Sequence, residues 1–321
     1  MNELVTFGET PLRLSPPGKT RVESAGQMEL FADGTESNVA VAASTLGTDA
    51  LWVSKLPDTA VGKNVTRQIT STGVETSITW SDADHRQGIS FREAAASPRE
   101  STYWHDRDRT ALATTAPGDL PMEQIQEASV VYTSLSSAVL SEAATNTAEA
   151  MLRAGTGGGA VTAVELDYTP GLESANSYAH AFDQVKSEVD VLITSEEAVS
   201  DVLEETGSPR ELTNTLSALY DLQIVVIRRD DGSAIALHDT PGTNVVHERS
   251  EIPSDSVDPT GEASAFTGGF LHELIQGSDT ARAVTVGVAC SVFAKTLSGP
   301  FLRVEPEEIE PIADEVVDHS Q

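Results

Sequence analysis

Between residues 130 and 227 the chain reads VVYT (130–133), AVTAVE (160–165), VDVLI (189–193) and IVVI (224–227), four mostly apolar runs separated by longer stretches with helical spacing. Short runs with so little polar alternation are expected of strands buried on both faces, as in a parallel sheet covered by helices. The segments Ser141–Ala154, Ala175–Val185, Ser195–Glu205 and Arg210–Tyr220 supply the covering helices. This alternation predicts a doubly wound, mostly parallel α/β sheet with helices on both faces.

Toward the N-terminus the same logic gives a first strand over residues 3–8 that closes on Gly8. A helix from Ser37 to Gly47, a strand over Ala50–Lys55 and a helix over Val61–Thr72 follow. Two stretches break the rhythm. Leu12–Leu14 and Val22–Leu30 read as exposed strands, and residues 77–106 carry ITW, GISFRE and STYW with the alternation of antiparallel strands. Together they predict a small β appendage, drawn from about 10–30 and 80–106, that acts as a lid over a ligand cleft. Toward the C-terminus come a hairpin and helices over Ala263–Leu274 and Asp279–Thr296. Gly157-Gly158-Gly159 follows a helix and precedes a strand, so it reads as a flexible connection; phosphate loops come after strands. No repeat or low-complexity linker divides the chain, and residues 1–321 are read as one domain.

Fifty acidic residues face twenty basic ones, a net charge of −30, and the acids are spread over the whole length. Only five of the basic residues are lysines: Lys19, Lys55, Lys63, Lys186 and Lys295. Such a surface repels itself until salt shortens the Debye length, and it reads as adaptation to a salt-rich cytoplasm. With no basic stripe to neutralise phosphates, nucleic acid is not an expected partner. Cys290 is the sole cysteine and no His/Cys metal spacing occurs, which fits a reducing cytoplasm and predicts no metal held by the protein itself. The opening MNELVTFGETP is not expected to be a signal peptide, and no apolar run is long enough to span a membrane. GxSxG, HExxH and GxxxxGK motifs are absent.

Two segments carry chemistry. In Ala32-Asp33-Gly34-Thr35-Glu36-Ser37-Asn38-Val39-Ala40 a glycine leads into a helix start, and Asn38 offers donor and acceptor to a polyol. Taken alone, Ser37 or Asn38 serves equally well as a helix cap. In Val257-Asp258-Pro259-Thr260-Gly261-Glu262-Ala263-Ser264-Ala265-Phe266 a turn opens into a helix, whose first-turn N–H groups converge on one spot and attract an anion such as phosphate. Taken alone, it is also an ordinary capped Asp-Pro turn.

In this order, about 220 residues apart, the pair resembles the two signatures of the ribokinase-like (PfkB) carbohydrate kinases. GETPLRLSPPG, ESNVAVA, GISFRE and DRDRTA are each similar to elements of the 2-keto-3-deoxygluconate kinases within that family. The resemblance implies ATP-dependent phosphoryl transfer to a small sugar acid, 2-keto-3-deoxygluconate first, with Mg2+ on the nucleotide phosphates. It also implies a homodimer joined through the lid. Gly34 and Asn38 match sugar-hydroxyl contacts, and Arg107 matches the arginine that meets the acid end of a keto-deoxy sugar acid. Flanked by Asp106 and Asp108, Arg107 also reads as a solvated arginine. Gly261, Glu262 and Ala263 match an anion hole, and the loop from Arg228 through Asp230 and Gly232 to Ser233 matches one lying along nucleotide phosphates.

The departures fall at the chemistry. Ser264 stands where the family places the catalytic aspartate, and a serine hydroxyl is a poor base. A nucleotide-side Asp-x-Asn-x-Arg element is matched to Asp167-Tyr168-Thr169-Pro170, with Asp167 toward the nucleotide and Thr169, in place of arginine, toward the substrate. Ala198 replaces a glutamate after Ser195, Ser90 replaces a tyrosine, and Asp230 replaces a glycine. These changes imply either a kinase with altered activity, for a sugar acid or a neutral sugar such as fructose, or a relative that binds ligand without efficient turnover. Glu262 is the nearest acid in sequence that could stand in for the lost base.

Overall fold

The computed structural model describes residues 2–320 apart from residues 83 and 241. Among these residues the strands are β1 (Leu4–Phe7), β2 (Leu12–Ser15), β3 (Glu29–Ala32), β4 (Ala50–Pro57), β5 (Glu75–Ser81), β6 (Ile89–Glu93) and β7 (Thr102–Asp106). They continue with β8 (Val130–Ser134), β9 (Val161–Leu166), β10 (Val191–Ser195), β11 (Ile224–Arg228), β12 (Ala234–Thr240) and β13 (Thr243–Arg249). Nine form one sheet in the order β13-β12-β11-β10-β9-β8-β1-β4-β5. From β11 to β5 every neighbour is parallel, and β12 and β13 add an antiparallel edge.

Because side chains alternate along a strand, each central strand feeds two cores. Leu4 and Tyr132 face one core, with Phe266, Phe270 and Val288 of the helices Glu262–Ile275 and Thr280–Ala294. Val5, Phe7 and Val131 face the other, with Met151, Phe182 and Leu216. Helices therefore cover both faces, as the apolar runs predicted.

Helix Thr35–Thr45 and helix Glu262–Ile275, which carry the two motifs, lie against each other. Gly268 makes this approach possible. A Cβ there would sit 2.5 Å from Ala42 Cβ and 2.8 Å from the Val39 carbonyl oxygen.

β3, β2, β6 and β7 form a separate four-stranded sheet. Several expectations need correction here. Val22–Leu30 is not one strand: Val22–Ser24 is a 3-10 turn whose Val22 N–H donates to Glu93, and β3 begins only at Glu29. Leu12 and Arg13 are buried rather than exposed, since β2 lies between β3 and β6. ITW belongs to β5, which pairs parallel with β4 in the main sheet. The helix Glu142–Gly158 runs through two of the three consecutive glycines, and Gly159 caps it at φ +90°. A Cβ on Gly158 would strike the Gln126 carbonyl, so that glycine permits close packing. The helix Ile309–His319 was not anticipated.

Candidate active site

In doubly wound sheets ligands bind beyond the carboxyl ends of the strands, where the chain switches direction across the sheet. That switch lies at β1, with β4 and β5 to one side and β8 to β11 to the other. A cavity of about 460 Å³ opens there. Its floor comes from Glu9 after β1, Ser136 after β8, Asp167 and Thr169 after β9, and Ser195 and Arg228 at the ends of β10 and β11. Gly34, Thr35 and Asn38 enter from the first motif, and Thr260, Ala263 and Ser264 from the second. The small sheet supplies Ser90, Tyr103 and His105, followed by Arg107.

A second cavity, of about 260 Å³, shares Ser195, Arg228 and Ala263 with the first and adds Asp230, Gly232 and Glu262. The predicted sugar-side residues thus gather in one cavity, and the predicted nucleotide-side residues divide between the two. Gly261 lies on neither wall; it is buried where a Cβ would strike the Pro300 carbonyl. Glu262 faces the second cavity, not the first, and burial raises its pKa against the opposing charge of Arg228.

The helix starts resolve the capping alternatives. The first-motif helix begins at Thr35, and its cap residue, Gly34, has no side chain to offer. The Ser37 hydroxyl donates to the Gly34 carbonyl, and Asn38 Nδ2 donates to Asp33 Oδ1 at 2.8 Å, so neither residue caps. Asn38 Oδ1 is buried without a partner among the described residues and is available to accept from a hydroxyl. Gly34 is required because a Cβ would collide with the Glu9 carbonyl oxygen. The second-motif helix likewise begins after Gly261 without a side-chain cap, while Asp258 accepts from the Thr260 N–H in the preceding turn.

Arg107 is not a solvated arginine. Its side chain is 7% exposed, and Nε donates to Glu9 Oε2 at 2.6 Å. Gly88 makes room for that carboxylate, since a Cβ would lie 2.6 Å from Glu9 Oε1. At the junction of the two cavities Arg228 pairs with Glu165, leaving its Nε buried without a partner among the described residues. Glu165 also accepts from the Tyr132 hydroxyl at 2.6 Å and from the Thr267 hydroxyl at 2.9 Å. Asp167 accepts from the Thr35 hydroxyl at 3.0 Å and the Ser136 N–H at 2.8 Å. Burial and the neighbouring Glu165 push its pKa up to about 6. Burial, then Arg107, pushes His105 down to about 4, so its imidazole is neutral at pH 7.

Sequence reasoning missed Glu9, Asp33, Glu165 and His105. Glu165 was within reach, because counting an Asp-x-Asn-x-Arg spacing back from Thr169 places the acid at Glu165 and the amide position at Asp167. No spacing pointed to the others, which chain topology delivers.

The 2-dehydro-3-deoxygalactonokinase of Haloferax volcanii is 38% identical to this chain over 310 residues, covering 97% of this chain and 96% of its own. The solved 2-dehydro-3-deoxygluconokinase of Thermotoga maritima superposes with a TM-score of 0.88 at 25% identity, over 98% of this chain and 100% of its own. An Escherichia coli structure solved in complex with ATP and Mg2+ has the same fold, with a TM-score of 0.84 at 16% identity over 98% and 100%. The family model for pfkB carbohydrate kinases matches residues 1–303. With nearly the whole sequence matched and the sheet order and small second sheet in place, the chain belongs to the pfkB family of carbohydrate kinases, the ribokinase-like fold.

Proposed function

We propose that the protein transfers the γ-phosphate of ATP to the terminal hydroxyl of a 2-keto-3-deoxy sugar acid, 2-keto-3-deoxygluconate or its galacto epimer. The observation that carries this is Arg107 on the same cavity as Asn38, Gly34 and Ser264, which sets a carboxylate-binding fork and polyol contacts on the walls that also bear the second-motif turn. The galacto alternative is supported by the name of the Haloferax relative. In this reading the small sheet is a lid and residues 1–321 act as one kinase domain.

The second cavity receives the nucleotide phosphates, held by Arg228, Ser195 and the backbone around Gly232. Arg228 Nε, without a partner among the described residues, fits such a group. Among the described residues there is no cluster of three or more His, Cys, Asp or Glu that could hold a metal. Mg2+ riding on nucleotide phosphates and water needs none, and when bound it would neutralise phosphate charge. The chain's own contribution is to fix the sugar, exclude water and present the uncapped helix start at Glu262 to the phosphoryl group.

The test is a coupled assay at molar KCl with ATP, Mg2+ and a panel of 2-keto-3-deoxy sugar acids beside fructose and ribose. Turnover confined to the sugar acids supports the reading; turnover of the neutral sugars alone overturns it. Ser264 motivates one competing reading, a protein that binds sugar and nucleotide without turnover, and calorimetric binding beside a silent assay would favour it.

The protein is proposed to act in the cytoplasm of a salt-rich cell as a homodimer joined through the lid. No described helix is long and apolar enough to cross a membrane. Leu30 and Trp104 of the small sheet are 48% and 46% exposed, and Phe91 and Trp104 line a groove on it. Light scattering of the wild type beside Trp104→Glu tests the dimer.

A further inference from the structure

Resting on the kinase reading, we propose that Asp167 is the general base of the transfer, replacing the carboxylate that Ser264 cannot supply. Four carboxylates line the cavity with Ser264: Glu9, Asp33, Glu165 and Asp167. A base must be free to take a proton, and an ion pair with arginine opposes that. Glu9 is held by Arg107 at 2.6 Å. Asp33 is held by Arg13 at 3.3 Å and by Asn38 at 2.8 Å. Glu165 is held by Arg228, Tyr132 and Thr267. Asp167 forms no ion pair among the described residues; its partners are uncharged, the Thr35 hydroxyl and the N–H and side chain of Ser136.

The groups around Asp167 reinforce the difference. Glu165, near the end of β9, lies two residues back in sequence, and Glu36 approaches from the first-motif helix. Tyr132 from β8 and Tyr178 from the helix Ala175–Val185 add neutral hydroxyls. The nearby cations are Arg107 and Arg228, each engaged by another carboxylate. Asp167 therefore has raised basicity and titrates near pH 6, the range a base needs to work at neutral pH. In sequence this acid stands at the amide position of the Asp-x-Asn-x-Arg spacing, so a carboxylate absent at 264 is present at 167.

The step balances. The sugar O–H bond breaks, with its proton passing to the Asp167 carboxylate. The oxygen forms a bond to the γ-phosphorus, the bond from that phosphorus to the β–γ bridging oxygen breaks, and ADP leaves. Asp167 then returns its proton to water.

The experiment compares the wild type, Asp167→Asn, Ser264→Asp and the double variant, measuring kcat and KM across pH 5–8.5, with ATP binding followed by calorimetry. Asp167→Asn is expected to bind ATP normally and lower kcat by about 10²–10⁴. It should also lose the rise of kcat through about pH 6 that the proposal expects of the wild type. Ser264→Asp in the Asp167→Asn background is expected to restore kcat at least tenfold, a rescue that a merely structural role for Asp167 would not give. An active wild type whose Asp167→Asn variant keeps kcat within threefold and an unchanged pH profile overturns the proposal alone. A wild type silent on every acceptor overturns it together with the kinase reading.

Discussion

Arg92 of the small sheet places Nη1 3.0 Å from Oδ1 of Asp258, the residue that holds the turn before the helix Glu262–Ile275. Arg13 of the neighbouring strand lies over the Phe31 ring with Nη2 3.8 Å from Asp258 Oδ2 and Nε 3.3 Å from Asp33. Two arginines of the small sheet thus converge on the acids of both motifs. Burial works against the Asp258 charge, but the Thr260 hydrogen bond and the two arginines outweigh it and hold its pKa below the usual range.

Removing Arg92 takes from Asp258 its nearer cation and leaves it Arg13 at 3.8 Å and Thr260. Arg92→Ala is therefore expected to lower stability by about 3 kcal/mol in urea unfolding. Because the turn carries Ser264 toward the cavity, kcat should fall by about 10–100-fold as well. Arg92→Lys should recover part of both losses, since it retains the charge without the planar fork. Unchanged kcat and stability in Arg92→Ala would remove the turn from the influence of the small sheet.

Arg107 provides the substrate test. Its loss frees Glu9 as an uncompensated acid on the cavity wall. Arg107→Ala should raise KM for a sugar acid by about 10²-fold, the scale of a lost charge-assisted hydrogen bond plus repulsion by Glu9. KM for a neutral sugar should move by much less. Equal losses on both substrates would reduce Arg107 to a structural partner of Glu9.

Much of this architecture was legible because it rests on periodicity. The runs at 130–133, 189–193 and 224–227 have the composition of doubly buried strands, and they lie within β8, β10 and β11 or overlap them. β5 was misassigned because Ile78 and Trp80 alternate with polar residues, as an edge strand exposed on one face does in either pairing sense. The site was half legible. Gly34, Asn38 and Ser264 sit in motifs, and so does Asp33, whose role shows only in its contacts with Arg13 and Asn38; Glu9 becomes a site residue only when the fold brings it to Arg107. Burial of Arg107 was hidden as well, since its flanking aspartates suggested solvent while its partner lies 98 positions away.

The contact between the two motif helices depends on a missing side chain. Gly268→Val would place a branched side chain against Ala42 and the Val39 carbonyl. Overpacking of this kind costs about 1–3 kcal/mol, with no helix-propensity gain large enough to offset it. The expected result is a lower urea midpoint with an unchanged m-value. Retained stability would mean that the helices separate freely.

With a net charge of −30, the fold should depend on salt. Raising KCl from 0.1 to 2 M shortens the Debye length from about 10 Å to under 3 Å and screens the self-repulsion. Tm should rise steeply over that range. A Tm independent of KCl would show that the dispersed acids carry no stability cost.

Glu36 gives a pH signature of its own. It is fully buried on the first-motif helix, with Oε1 accepting from the N–H and hydroxyl of Ser134 and Oε2 without a partner among the described residues. Burial, and next the charge of Asp167, raises its pKa from 4.5 to about 7. Between those values the folded protein holds a proton that the unfolded chain releases. Glu36 therefore favours the fold most below pH 4.5, and stability declines as pH rises toward 7, after which this contribution is flat. A shift of that size corresponds to about 3 kcal/mol. Glu36→Gln cannot ionise, so the stability of the variant relative to wild type should improve by about that amount between pH 4.5 and 8 in urea titrations. A stability difference constant across that range would mean that Glu36 carries the same charge in the folded and unfolded chains.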